Sequence, residues 1–456
     1  MGTVLTPGPT YDEMRHPGKL PPELRRRALA AARSNELDPL NLFNITWRNR
    51  EDRVRHVVLP KELTGVAANI VVLLARDFPS GSHKVGPAYA TLMEGQLAGE
   101  IRPGENTIIG PSTGNFGIGT AYIAHLMGYR CVVIMPDGMS AERYERIRRY
   151  GGELDLTPGT ESDVILVLER TEHFKRDAKN KVLAQFELLP NYRFHRYVTG
   201  EAALEAARGV GDGRVAAFVS APGSAGTIAA GDEIKAQFAD CTVVAVEPHE
   251  CSTLTDNGRG QHRIEGIGDK MVTLIHNVLT TDWVARVHDD DCVAGLKVLE
   301  HGRHVVEREL KLSPGALNAI GGWFGISSVC NILGAIKTAK LLKLGREQNV
   351  VTVATDGFDR YPSVMQDLER RRGPVTDAKI AEWYERIFRE ATTDAMLDVR
   401  SGVQKERLFR QKREVWSRFG YSDAYLEKMK SQAFWDDEYA KIADIDAGVA
   451  AGRKLS

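Results

Sequence analysis

One lysine stands among small residues in Pro79-Ser80-Gly81-Ser82-His83-Lys84-Val85-Gly86-Pro87, where the apolar run Ile70-Val71-Val72-Leu73-Leu74 gives way to a helical pattern. At such a junction an amine can be desolvated and held rigidly, which a Schiff-base nucleophile requires. The same pattern also suits an ordinary solvated turn lysine, so the reading depends on its company. A second turn, Gly110-Pro111-Ser112-Thr113-Gly114-Asn115-Phe116-Gly117-Ile118-Gly119, follows a strand and opens a helix. Backbone N–H groups there lack intrahelical partners and carry partial positive charge, which suits an anion. Gly117-x-Gly119 is part of a dinucleotide fingerprint, but Tyr122 stands where the third glycine is required, and no acidic residue follows a second strand at the right place. A third turn, Ser220-Ala221-Pro222-Gly223-Ser224-Ala225-Gly226-Thr227, again joins strand to helix. Its small residues let the backbone wrap a phosphate, with the Thr227 hydroxyl as a further donor. It lacks the Gly-Lys-Ser/Thr of a nucleotide phosphate loop.

Such turns must be carried by strands covered on both faces. Nearly continuous apolar runs predict strands at Asn69–Leu74, Thr107–Ile109, Cys131–Met135, Val215–Ser220, Thr242–Val246, Val284–His288 and Val350–Ala354. Amphipathic segments between them give the α/β alternation. One helix follows Gly117 and stops near Gly128, and another runs from a capping Ser140 to Tyr150 before Gly151-Gly152. A further helix is expected around Glu23 to Ser34. Beyond Pro374 the chain turns rich in Glu, Lys, Arg and Ala, with apolar residues at helical spacing: Trp383, Ile387 and Phe388, then Leu408, Val415 and Trp416. This reads as a helical extension that packs on the α/β core or on a partner subunit.

The 456 residues suffice for two or three domains, and a net charge of −1 provides no field for non-specific nucleic-acid or membrane binding. Five cysteines, Cys131, Cys241, Cys251, Cys292 and Cys330, form no C-x-x-C pair, which argues against a zinc knuckle or disulfide framework and for a reducing compartment. Cys330 reads as packing and Cys251 as the more exposed. No signal segment or membrane-spanning run is apparent, so the expected location is cytoplasmic, with neither nucleic acid nor membrane as partner and no metal.

A lysine, an Asn-bearing anion turn and a phosphate cup, in that order, resemble the fold-type II pyridoxal-phosphate enzymes, the group of tryptophan synthase β, cysteine synthase and threonine dehydratase. Ser82-His83-Lys84 resembles their Schiff-base lysine motif, Ser112-Thr113-Gly114-Asn115 their substrate loop, and Gly223-Ser224-Ala225-Gly226-Thr227 their phosphate loop. Gln185-Phe186 with Pro190-Asn191, Val246-Glu247-Pro248, Ile264-Glu265-Gly266-Ile267-Gly268, Phe324-Gly325-Ile326-Ser327-Ser328 and Asp359-Arg360-Tyr361 are similar to cysteine synthase, collinearly over about residues 60–365. The resemblance implies two three-layer α/β domains with mostly parallel sheets: residues 51–100 with 201–373 as the larger, cofactor-binding one, and 101–200 as the smaller, bearing the substrate loop. Residues 1–50 would form a lead-in arm and 374–456 the extension.

It also implies roles. Lys84 would hold pyridoxal 5′-phosphate and serve as base at Cα, with His83 at the phosphate among Gly223, Ser224, Ala225, Gly226 and Thr227. Asn115 would bond the ring's 3′-oxygen, and Ser112, Thr113, Gly114 and Gln185 would hold the substrate carboxylate. At the ring nitrogen either Thr355 or Asp356 would stand, where the family commonly places a neutral hydroxyl. The implied reaction is β-elimination or β-replacement on a small β-substituted amino acid through an α-aminoacrylate, close to cysteine synthase or a cysteine lyase. Alternatives are an ammonia-lyase of the threonine, serine or diaminopropionate type, and a β subunit that needs a partner chain. A homodimer is the family expectation. Gly110 stands where tryptophan synthase β carries a glutamate, and this departure from the resemblance argues against indole condensation. Glu265 and Asp269, near His262 and Arg263, are candidates for the cleft entrance, with His262-Arg263 favoured for a substrate anion.

Overall fold

A computed structural model describes residues 6–112 and 114–453. Among these, two sheets form. The larger has seven strands in the spatial order His56–Val58, Asn69–Leu74, Asn349–Ala354, Val215–Ser220, Thr242–Pro248, Trp283–Val287 and Met396–Asp398. Its inner pairings are all parallel, and both edge strands pair antiparallel. The smaller sheet has four parallel strands in the order Glu153–Thr157, Arg130–Pro136, Thr107–Pro111 and Asn180–Val182.

All seven expected strands are present, and the four unforeseen ones are the four sheet edges. The reason is physical. An inner parallel strand is covered on both faces and reads as a solid apolar run, as Asn69–Leu74 and Asn349–Ala354 do with every residue buried. Edge strands are short, partly exposed and mixed in polarity, so they leave no such trace.

The helix Pro22–Ser34 and the helix Asn115–Leu126 form as expected. Ala141–Arg149 is also helical, but Ser140 does not cap it. Its backbone N–H and its hydroxyl donate instead to Glu265, at 3.2 and 3.0 Å. The extension is not purely helical either, since Met396–Asp398 adds a strand to the larger sheet. It packs on the chain's own core: Trp383, Ile387, Phe388, Leu408 and Trp416 are buried, and Val415 is partly so. All five cysteines are free and buried, Cys251 included, contrary to the exposure expected of it. A 3-10 turn, His249–Cys251, directs that thiol inward. Among the described residues no helix is long and apolar enough to cross a membrane.

Candidate active site

Lys84 immediately precedes the helix Val85–Leu97, whose first nine residues are all buried. The approach to it is conformationally strained: Ser80, a non-glycine residue, holds φ at +63°. The fully buried Arg360 fixes that turn by donating to the Ser80 carbonyl at 2.6 Å. From the other side, the helix Asn115–Leu126 crosses so closely that a Cβ at Gly119 would lie 3.1 Å from the Lys84 carbonyl. Gly117 is equally constrained, a Cβ there meeting Val133 at 2.7 Å. These two glycines serve close packing behind the lysine, not nucleotide binding.

The Lys84 amine faces a narrow cleft lined by Ser112, Gly114, Asn115, Gln185, Ser224 and Thr355, with Phe116 and Phe186 as apolar walls. Gly223, Gly266 and Asp269 complete the lining. Burial lowers the lysine's pKa to about 8, partly opposed by Asp269 and Glu161. Asp269 moves the other way, burial raising its carboxyl to about 7 against the pull of Lys84. Its Oδ1 is buried without a hydrogen-bond partner. Asp269 therefore lies in the cleft itself, not at the entrance. Two groups, a lysine and a carboxyl, are thus brought toward neutrality in one space.

The cup takes shape around Ser224. Lys84 Nζ lies 3.5 Å from its hydroxyl, and Asn191 donates to the same oxygen at 3.0 Å. His83 Nε2 is 3.1 Å from Thr227 Oγ1, beside the turn that carries Ser224. Burial, with the Lys84 charge, holds His83 well below the ordinary histidine range. Ala225 takes φ +63°, turning the loop back on itself. His195 escaped the sequence reading. It lies one helical turn past Asn191 and packs edge-on to His83 with ring centroids 5.0 Å apart. Its Nδ1 meets Thr199 while its buried Nε2 has no partner. The spacing Asn191-x-x-x-His195 was the available signal.

Behind the cleft is a buried charge network. Asn115 donates to Asp356 Oδ2 at 2.6 Å and accepts from Arg360 Nε at 2.8 Å, so its amide is largely committed within the protein. Tyr361 also donates to Asp356, at 2.9 Å. Arg360 and the fully buried Arg143 lie 3.7 and 3.9 Å from that carboxylate, and Arg143 pairs with Glu265 at 2.6 Å. Thr355 lines the cleft, whereas Asp356 is engaged in this network. Ser112 accepts from the backbone N–H groups of Gly114 and Gly117, at 3.0 and 2.8 Å. Thr113 lies outside the described residues. The expectation for His262 and Arg263 needs correction. Arg263 is bound to Asp289 at 3.0 Å and to Asp290, and His262 is buried against the Gly268 carbonyl. Neither offers a free charge to a substrate.

A family of sequences described as pyridoxal-phosphate dependent enzyme matches residues 63–356. The chain belongs to this family. Among similar proteins, cysteine synthase from Staphylococcus aureus (strain Mu50) is 32% identical over 298 residues, 65% of this chain and 88% of that protein. A probable cysteine synthase from Bacillus subtilis (strain 168) is 31% identical over the same length, covering 89% of that protein. A hydrogen sulfide-producing enzyme from Fusobacterium nucleatum is similar in structure, with 26% identity and TM-score 0.56 over 67% of this chain and 95% of that one. The cofactor of the pyridoxal-phosphate enzymes is pyridoxal 5′-phosphate, and this cleft fits it. A buried amine, small-residue walls, and the partnerless Nε2 of His195, Nδ1 of His83 and Oδ1 of Asp269 are what a polar ligand would complete.

Proposed function

We propose that this pyridoxal-phosphate enzyme performs β-replacement or β-elimination on a small amino acid with a leaving group at Cβ, with sulfur as nucleophile or leaving atom. The observation that carries this reading is the single cleft that brings Lys84 and Asp269 together beside Ser112, Gln185 and Ser224, with burial holding the lysine near 8 and the carboxyl near 7. Pyridoxal phosphate, when bound, supplies the electron sink that makes a Cα proton removable and a Cβ substituent expellable.

The chain's own groups do the rest. Lys84 Nζ, neutral in a growing fraction as pH passes 8, takes the Cα proton and returns it. The Ser112 hydroxyl and the Gln185 amide receive the α-carboxylate with neutral donors, which favours a single amino-acid orientation without a competing salt bridge. Ser224, Gly226 and Thr227, at the start of the helical run that continues as Ala230–Gln237, offer N–H and hydroxyl donors to the phosphate. Thr355 offers the ring nitrogen a neutral hydroxyl, consistent with a pyridine kept unprotonated. Asp269 takes the proton of an incoming thiol, or holds a water, on the cleft side facing Lys84. Phe116 and Phe186 exclude bulk water.

The similarity to proteins named cysteine synthase supports sulfur chemistry. A homodimer and a cytoplasmic location belong to the same reading, the latter supported by five unpaired cysteines. The purified chain should be offered O-acetylserine, O-phosphoserine, cysteine, serine, threonine and diaminopropionate, each with and without sulfide. Cysteine formed from an O-substituted serine only when sulfide is present supports replacement. Pyruvate and ammonia formed without sulfide support elimination. Turnover confined to threonine, serine or diaminopropionate overturns the sulfur assignment in favour of an ammonia-lyase.

A further inference from the structure

Residues 257–282 contain neither helix nor strand, yet most of the stretch is buried and it forms one wall of the cleft through Gly266 and Asp269. A long buried segment without regular structure carries backbone carbonyls that need partners from elsewhere. On the inner side its bonds reach the site directly. Thr273 donates its hydroxyl to the Ser224 carbonyl at 2.9 Å, Leu274 N–H donates to the Phe186 carbonyl at 3.0 Å, and Gly268 N–H donates to the Pro222 carbonyl at 2.9 Å. The Thr253 hydroxyl donates to the Asp269 carbonyl at 2.6 Å.

On the outer side the partners come from one helix of the C-terminal extension, Gly402–Trp416. Trp416 Nε1 donates to Val272 O at 2.9 Å. Lys412 Nζ donates to Leu274 O at 3.0 Å and His276 O at 2.7 Å. Lys405 Nζ reaches Val278 O at 2.7 Å and also Thr281 O. Gln411 donates to Thr253 O at 3.2 Å. Residues 405, 412 and 416 recur at helical spacing and so form one stripe. Lys412 is 1% exposed, with its ammonium near the faces of Phe409 and Trp435. The stripe and the cup therefore grip the same short stretch from opposite sides: carbonyls 272, 274 and 276 outward, Thr273 inward. The extension lies beyond the residues that match the family.

We propose that Lys412, together with Trp416, is a positioning residue for the cofactor cup, with the C-terminal extension holding residues 272–276 so that Thr273 and Leu274 fix Ser224 and Phe186. This rests on the assignment of residues 223–227 as the phosphate cup. The wild-type holoprotein, reduced with borohydride and mapped by mass spectrometry, tests that assignment first. A label on any residue other than Lys84 overturns the cup and this proposal with it.

With the label at Lys84, full-length Lys412→Met, Lys412→Arg and Trp416→Phe are compared with the wild type and with Lys428→Met, whose side chain is exposed on the same extension. The expected result for Lys412→Met is a cofactor dissociation constant raised at least tenfold and a broadened phosphorus-31 resonance, both measured well below the melting temperature. Lys412→Arg recovers part of the loss, Trp416→Phe gives a smaller change of the same kind, and Lys428→Met gives none. Lys412→Met and Trp416→Phe proteins that melt earlier but keep wild-type cofactor affinity and phosphorus line width overturn the proposal, because the extension then only stabilises the fold. If Lys412→Met fails to fold, Trp416→Phe decides, since phenylalanine keeps an aromatic ring in the buried site and removes the donor to Val272.

Discussion

Burial moves the Lys84 amine toward neutrality, and this sets the direction of its pH dependence. A lysine amine free in solution loses its proton near 10.5, whereas this one does so near 8. Below 8 the neutral fraction falls about tenfold per pH unit, so the rate at which apoprotein takes up pyridoxal phosphate should rise by that factor per unit up to about 8 and then level off. Stopped-flow absorbance measures it, and a rate still rising tenfold per unit above pH 9 would contradict the assignment. Asp269 makes a separate prediction. Asp269→Asn keeps the shape but cannot take a proton, so β-replacement kcat should fall by roughly 10² while the KM for the amino-acid substrate changes little. Asp356→Asn should behave differently. It leaves the buried Arg360 and Arg143 short of a counter-charge, a loss of about 3–5 kcal/mol in urea unfolding, with the cofactor's absorption maximum unmoved. A shifted maximum would instead put Asp356 at the ring nitrogen in place of Thr355.

At the scale of elements, the third turn depends on close approach more than on sequence pattern. Gly226 has an ordinary φ of −61°, so its lack of a side chain serves space and not backbone freedom. A Cβ there would overlap Asn191 Oδ1 and crowd the His195 ring. Asn191 cannot yield, because its amide donates to both the Gln185 carbonyl and Ser224. Gly226→Ala should therefore retain the fold and lose cofactor, at least tenfold in dissociation constant by absorbance titration. Gly223 is held in the same way, 2.6 Å separating its added Cβ from the Gly266 carbonyl. The cup and the loop that carries Asp269 are thus one packed unit, although they lie some forty residues apart in the chain.

Over the whole molecule, the extension and the α/β core are joined through shared hydrophobic clusters. Leu408, Phe409, Trp416 and Trp435 pack with Val243, Val272, Ile275 and Val284. A chain ending at residue 373 would leave the strand Trp283–Val287 as an open edge and uncover that cluster. Such a truncation should be insoluble or melt far below the intact chain, whereas a full chain cleaved only in the segment before Asp377 should stay associated on size exclusion. Trp416→Ala alone should cost about 3–5 kcal/mol, measured by denaturant unfolding.

What the sequence alone determined was local. Lys84, the three turns, the inner strands and the helices around them each carry their signal within ten residues or so, through apolar runs, caps and small-residue turns. The family resemblance added the order of the site and the expected roles. Tertiary structure decided everything set by distance between remote residues: that Asp269 faces Lys84, that Arg263 is bound to Asp289 and Asp290, that Asn115 is tied to Asp356, and that His195 meets His83. It also decided that the extension docks on residues 272–281. Burial and pairing are properties of neighbours brought together by the fold, and the neighbours of a charged side chain are not written in the residues beside it.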